Sequence, residues 1–335
     1  MVMKKNLRIV KMLFIIHTAA VLLFIFNSTA IAQSNIKRDT SFTLSSAYVK
    51  AVKEFPETRM VSKSPSGGIK INRNLVYFKS GEIELHLDLF LPAGSKDKKY
   101  PVAVIIHGGG WRSGNKEMEE QSSLYMAEMG IAAAAVEYTL SGEMLYPASV
   151  HNIKSAIRWI KEVGKEFQLD SNNIFLMGGS AGGHLALLAA VTAGNDFFDT
   201  VDGKRLHGTN VKGVINIDGV PDLTTPEESG KDTIPSKPSA VKQWLGVKYA
   251  DNPELWRIAS PVNHVGRSSP PVLFINSSIP RFRAGRERVI SELHLHNIFS
   301  EVIEIPSSPH TFWLFNPWFE KVMLKAASFI KFISN

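Results

Sequence analysis

Ile174-Phe-Leu-Met-Gly-Gly-Ser-Ala-Gly-Gly-His-Leu-Ala-Leu-Leu-Ala-Ala190 is the stretch from which the rest of the chain can be read. Four apolar residues, Ile174 to Met177, have the length of a short buried strand. Small residues follow, and then Leu185 to Ala190, an apolar run of good helix formers. Ser180 sits where strand must become helix, inside Gly178-x-Ser180-x-Gly182. So tight a turn forces its central residue into a strained backbone conformation, and side chains two residues to either side would clash. The geometry lifts one hydroxyl above the sheet edge at a helix N-terminus, where a general base can reach it. The five-residue pattern alone is common; its strand-turn-helix context gives it weight.

Outward from this stretch, 335 residues with 44% hydrophobic content can bury one large core. The N-terminus stands apart. Lys4, Lys5, Arg8 and Lys11 precede an apolar run from Met12 to Phe26, and Ala30-Ile-Ala32 stands just before Gln33. A basic head, a short apolar segment and an A-x-A exit predict a secretory signal over residues 1–32, cut near Ala32. The run falls short of the ~20 residues that span a bilayer. Export to the periplasm or the exterior follows as the expectation. The net charge of +7 falls to +3 without those residues, so composition gives no reason to expect nucleic acid. With no cysteine, disulfides, metal thiolates and thiol catalysis are excluded.

Residues 33–71 read as a polar leader lying across the body, with one short helix around Ser45 to Phe55. The catalytic domain is expected over 72–335. Asn74 to Lys79 and Glu82 to Leu91 alternate around Ser80-Gly81 as an antiparallel hairpin. Beyond Pro101 apolar strands and helices take turns. Strands are predicted at Val102–Ile106, Ile131–Val136, Ile174–Met177, Val214–Ile217, Val272–Ile275 and Phe299–Ile305. Helices are predicted at Glu117–Met129, Pro147–Phe167 and Pro317–Ile333, besides the one after Ser180. Unbroken apolar strands separated by helices mean a mostly parallel sheet covered on both faces. Ligands bind such α/β sheets at the carboxyl ends of the strands, and the candidate groups stand just after strands. Residues Thr224 to Ser260, polar and proline-rich with a short helix at Ala240 to Leu245, form an insertion that could cover the pocket.

His107-Gly-Gly-Gly-Trp111 directly follows the strand Val102–Ile106. Successive glycines let bare N–H groups point at one spot, as acyl transfer requires where a carbonyl oxygen turns negative. Gly109 and Gly110, with the N–H of Ala181, are the expected donors. The base should be a histidine beyond the last strand, and of ten histidines His310 has that position, in Pro306-Ser-Ser-Pro-His-Thr-Phe-Trp313. Trp111 could stack on a sugar ring. Arg281 and Arg283, within Pro280-Arg-Phe-Arg-Ala-Gly-Arg-Glu-Arg288, could meet a ligand carboxylate, since cations at a helix N-terminus oppose its dipole. Solvated surface arginines are the plainer alternative.

These residues resemble the α/β-hydrolase superfamily, and within it esterases with an HGGGW loop and a GGSAGGH elbow. Tyr138, Pro147 and Ala156-Ile-Arg-Trp159 fit the same pattern, and the likeness covers about residues 72–332. Asn252-Pro-Glu-Leu-Trp256, Pro270 to Pro280, Ala284-Gly-Arg286 and His310-Thr-Phe also resemble a bacterial subgroup associated with breakdown of pectin and other plant polysaccharides. The resemblance implies a serine esterase in which Ser180 attacks, His310 moves the proton and an acid orients His310, with no cofactor or metal. Related esterases place that acid a few residues after the seventh strand, here Asn276 to Arg281, where none stands. Asp218, in Asn216-Ile-Asp-Gly219 after the sixth strand, is the substitute, with Glu287 and Asp222 as alternatives. Acetyl, methyl or feruloyl esters on plant polysaccharide are the expected substrates. A serine peptidase of this fold and a catalytically silent binding protein are the other readings.

Overall fold

The computed structural model describes residues 39–62, 64–65, 67–94, 98–233 and 238–335, all within one unit, Arg38–Asn335. The expected export signal lies outside the described residues. An eight-stranded sheet organises the unit. Its strands are β1 (Lys70–Ser80), β2 (Ile83–Leu91), β3 (Tyr100–Ile106), β4 (Ala132–Val136), β5 (Leu169–Gly179), β6 (Gly213–Ile217), β7 (Val272–Ser277) and β8 (Ser300–Ile305). They lie in the spatial order β1-β2-β4-β3-β5-β6-β7-β8. The hairpin pairs antiparallel and β2 runs antiparallel to β4; every other pairing is parallel.

The parallel strands are apolar on both faces because both are covered. One face carries Leu87, Val104, Leu176, Val214 and Phe274 under the helices α3 (Ala148–Val163), α4 (Ala181–Val191) and α7 (Arg286–Leu295). The other carries Phe90, Ala103, Ile105, Phe175, Met177 and Ile275 under α2 (Glu120–Glu128) and α8 (Phe319–Ser334). Between β6 and β7 the insertion contributes α5 (Ala240–Leu245) and α6 (Pro253–Ile258). Two expected helices end in tighter turns. The segment before α2 is a 3₁₀ turn at Lys116–Glu119, and α3 passes into another at Gly164–Phe167.

The leader is stitched to the body. Its helix α1 (Leu44–Glu54) opens with a capping box between Thr43 and Ser46 and buries Ala47 and Ala51. Tyr48 packs on Phe315 and Phe55 on Trp318, each at 5.8 Å between ring centres. Arg59–Met60 then pairs antiparallel with Phe315–Asn316. Among the described residues no helix is long and apolar enough to cross a membrane.

Candidate active site

The turn between β5 and α4 has the strain its sequence calls for: Ser180 sits at φ 56°, ψ −121°. The flanking glycines are required by space. A Cβ on Gly182 would lie 2.0 Å from the carbonyl oxygen of Ile106 in β3, and one on Gly178 would lie 2.5 Å from the Gly182 backbone. Ser180 N–H donates to the Ile217 carbonyl at 2.8 Å, tying the turn to β6.

Three side chains from three strand ends meet in one line. His310 Nε2 lies 2.8 Å from Ser180 Oγ, and its Nδ1 lies 3.0 Å from Asp218 Oδ2. Asp218 ends β6 in the left-handed region, φ 48°, a conformation aspartate tolerates. Its carboxylate is fully buried and fully bonded. Oδ1 accepts from the Ser277 N–H at 2.8 Å and from Asn276 Nδ2 at 3.2 Å, and Oδ2 accepts from Ser277 Oγ at 2.7 Å. The end of β7, where the resembling esterases carry their acid, thus supplies hydrogen-bond donors to an acid housed one strand earlier. The two alternative acids are engaged elsewhere. Glu287 is exposed on α7 and pairs with Arg286, while Asp222 binds Arg288 and caps Thr224.

With Asp218 accepting from Nδ1, the neutral imidazole presents a lone pair at Nε2 toward the serine hydroxyl, the arrangement of a general base. Burial holds His310 below its ordinary pKa; the hydrogen bond and charge of Asp218 oppose that, and the cations Arg281 and Lys50 add to it.

The glycine loop lies against the nucleophile. A Cβ on Gly108 would meet the Gly179 carbonyl oxygen at 3.0 Å and the Ser180 Cβ at 3.5 Å. Gly109 and Gly110 both have positive φ, 121° and 61°, and the Gly109 carbonyl turns away to accept from the N–H of Ser113. Among the described residues no intramolecular acceptor takes the N–H of Gly109, Gly110 or Ala181, which leaves these groups available to an oxyanion. His107 anchors the loop from beneath, stacked on Tyr138 with Nδ1 2.8 Å from the Gly108 carbonyl oxygen.

Three expected substrate contacts take other roles. Trp111 is not a sugar platform: it is 4% exposed, stacks on Trp244 of α5 at 4.9 Å and meets His184 edge-on. Arg281 forks onto both oxygens of buried Glu228, and Arg283 pairs with Glu304. Arg288 and Arg286 are paired too, so protein carboxylates answer the cationic run without a ligand. Sequence reasoning passed over Phe282, which lies flat on His310, and Lys50, brought from α1 to where its charge acts on His310. It also passed over Glu119, a buried carboxylic acid just ahead of α2. Burial raises Glu119 to about 7 against the hydrogen bond from Ser122. Phe282 carried a signal, an aromatic at the end of the seventh strand; Lys50 carried none.

The comparisons with known proteins agree with this architecture. Residues 87–279 match the model of the family described as BD-FAE. Two curated relatives from Mycobacterium tuberculosis are Esterase LipQ and Esterase LipC. The first is 28% identical over 64% of this chain and 51% of its own length, the second 29% over 62% and 51%. The chain therefore spans about half the length of the curated relatives it matches. Among solved structures, a truncated carbohydrate esterase from gut microbiota superposes with a TM-score of 0.66 at 21% identity, covering 81% of this chain and 99% of that one. Propionate-bound esterase 2 of Thermogutta terrifontis superposes with a TM-score of 0.62 at 22% identity, over 80% and 95%. At such identities the likeness is one of fold.

Proposed function

The chain belongs to the BD-FAE family, and on that premise we propose that it is a carboxylic ester hydrolase working through a serine acyl-enzyme. The observation that carries the reading is the unbroken line from Ser180 Oγ through His310 to Asp218, at 2.8 and 3.0 Å. Ser180 attacks the ester carbonyl as His310 Nε2 takes its proton. The negative oxygen of the tetrahedral intermediate is received by the N–H groups of Gly109, Gly110 and Ala181. Collapse expels the alcohol, which takes the proton back from His310. Water then enters by the same route, with His310 again as base, and releases the acid and free Ser180. Asp218 fixes the tautomer and stabilises the imidazolium in both halves. No step calls on a metal or cofactor.

The substrates proposed are acetyl, methyl or feruloyl esters of plant polysaccharide, with pectin-like acidic chains favoured. The solved carbohydrate esterase of the same fold supports the polysaccharide class. Residues 1–32 are proposed to direct export and to be removed, and sequencing the N-terminus of protein recovered from outside the cytoplasm tests this. For the chemistry, the test is p-nitrophenyl acetate hydrolysis beside Ser180→Ala. Release that disappears in the variant supports the serine mechanism and leads to acetylated and methylated polysaccharides. Release that persists, or is absent from folded wild-type protein, rejects it.

A further inference from the structure

The catalytic imidazole is held by more than Asp218. The Phe282 ring lies parallel to it, with centres 3.6 Å apart and planes 3° apart, and Trp313 meets it edge-on at 5.4 Å. Phe282 is itself pinned. The Arg281 guanidinium carbon lies 4.9 Å from the Phe282 ring centre, and the guanidinium is forked onto Glu228, whose carboxylate side chain is 1% exposed. Glu228 belongs to the short helix Pro226–Ser229 of the insertion between β6 and β7. The same insertion touches the oxyanion loop at its other end. Ala240 closes over Gly110, where a Cβ would meet it at 3.2 Å, and Trp244 stacks on Trp111.

We propose that Phe282 is a positioning residue for His310, and that Glu228, acting through Arg281, holds it in place. The insertion is then an organiser of both halves of the site, where the sequence suggested a covering flap. The physical basis is twofold. A flat neighbour at van der Waals distance stops the imidazole from tilting out of the line between Ser180 and Asp218, and small misalignments of a catalytic group are costly in rate. The ring also covers the imidazole from water, which favours the neutral form that takes the proton of Ser180. The charged groups acting on His310 are Asp218 on β6, Arg281 on the loop after β7 and Lys50 on α1. Because Phe282 shields His310 from water, its removal raises the imidazole's titration toward the ordinary value.

The proposal rests on the esterase reading for its kinetic arm only. Phe282→Leu and Phe282→Tyr are made in the full chain. The readouts are p-nitrophenyl acetate kinetics against pH and NMR titration of the His310 ring, which needs no turnover. Phe282→Leu is expected to lower kcat roughly tenfold to hundredfold with KM nearly unchanged, and to raise the His310 titration; Phe282→Tyr, which keeps the stack, restores both. Should the leucine variant lose its near-UV circular dichroism, Phe282→Met replaces it. Glu228→Gln is expected to lower kcat in the wild type and to have almost no further effect once Phe282 is leucine, because the two act in series. A Phe282→Leu enzyme with wild-type kcat and an unmoved His310 titration overturns the proposal, and full additivity with Glu228→Gln overturns the role of Glu228. If the wild type shows no Ser180-dependent hydrolysis, the esterase reading falls, and the titration alone decides for or against Phe282.

Discussion

Replacing Asp218 by asparagine changes one atom at the centre of the site, and the hydrogen bonds around it dictate where that atom goes. The Oδ1 position receives the backbone N–H of Ser277 and the amide of Asn276, both of which can only donate. The asparagine oxygen must therefore take that position. Its NH₂ falls at the Oδ2 position, between Ser277 Oγ, whose hydroxyl can turn to accept, and His310 Nδ1. Facing a donor, Nδ1 becomes the acceptor and the ring proton moves to Nε2, which can then no longer take a proton from Ser180. The packing survives and the tautomer is wrong. In a serine triad that change costs roughly 10⁴-fold in kcat, or about 5 kcal/mol of barrier at ~1.4 kcal/mol per decade. The assay is p-nitrophenyl acetate turnover with thermal unfolding as a control, beside Glu287→Gln, which alters an exposed side chain paired with Arg286 and should leave kcat unchanged. A folded Asp218→Asn enzyme within tenfold of wild type would refute the assignment, as would collapse in Glu287→Gln alone.

The base must be neutral to accept a proton, and burial with Arg281 and Lys50 holds His310 below its ordinary value, so kcat/KM should rise along an acid limb centred below pH ~6.5. Lys50→Met removes one of those cations and should move the limb to higher pH; no movement would disconnect α1 from the site. Glu119, raised by burial to about 7, holds its proton longer when folded than when unfolded. Its contribution to stability is therefore intact below about pH 4.5 and is lost as pH rises through 7. Glu119→Gln should gain on wild type by about 3 kcal/mol between pH 4.5 and 8 in denaturant titrations, and a constant gap would contradict this. Gly182→Ala would drive a methyl into the Ile106 carbonyl oxygen; calorimetry should show a loss of about 1–3 kcal/mol, and a Tm equal to wild type would remove the steric account of the elbow.

The order of strands and helices could be read from the sequence because each is a local pattern. Apolar runs such as Val102–Ile106 are too short for helices, and the small residues around Ser180 mark where strand passes tightly into helix. Ser180, His310 and the glycine loop could be read for the same reason: each is tied to a strand end next to it in the chain. Asp218 was harder, since its claim depends on Ser277 and Asn276, some sixty residues away. The arginines stayed open to two readings because their partners Glu228, Asp222 and Glu304 come from separate segments, and a cation's need for a ligand cannot be known before its neighbours are. Trp111 shows the same difficulty for aromatics. A tryptophan beside a glycine loop can face a substrate or the interior, and Trp244, more than a hundred residues on, decides for the interior.

The short pairing of Arg59–Met60 with Phe315–Asn316 joins residues some 250 positions apart in the chain. Contacts of such separation form late, since the chain must lose its loop entropy before the ends gain anything by meeting. The histidine loop, which leads directly into Phe315, is thereby clamped by a segment from far upstream in the chain. The nucleophile turn, made from neighbours in β5 and α4, closes no such long loop. The triad thus joins two scales of contact: the serine turn is built from residues beside it in sequence, while the loop that carries the imidazole is tied down from far upstream.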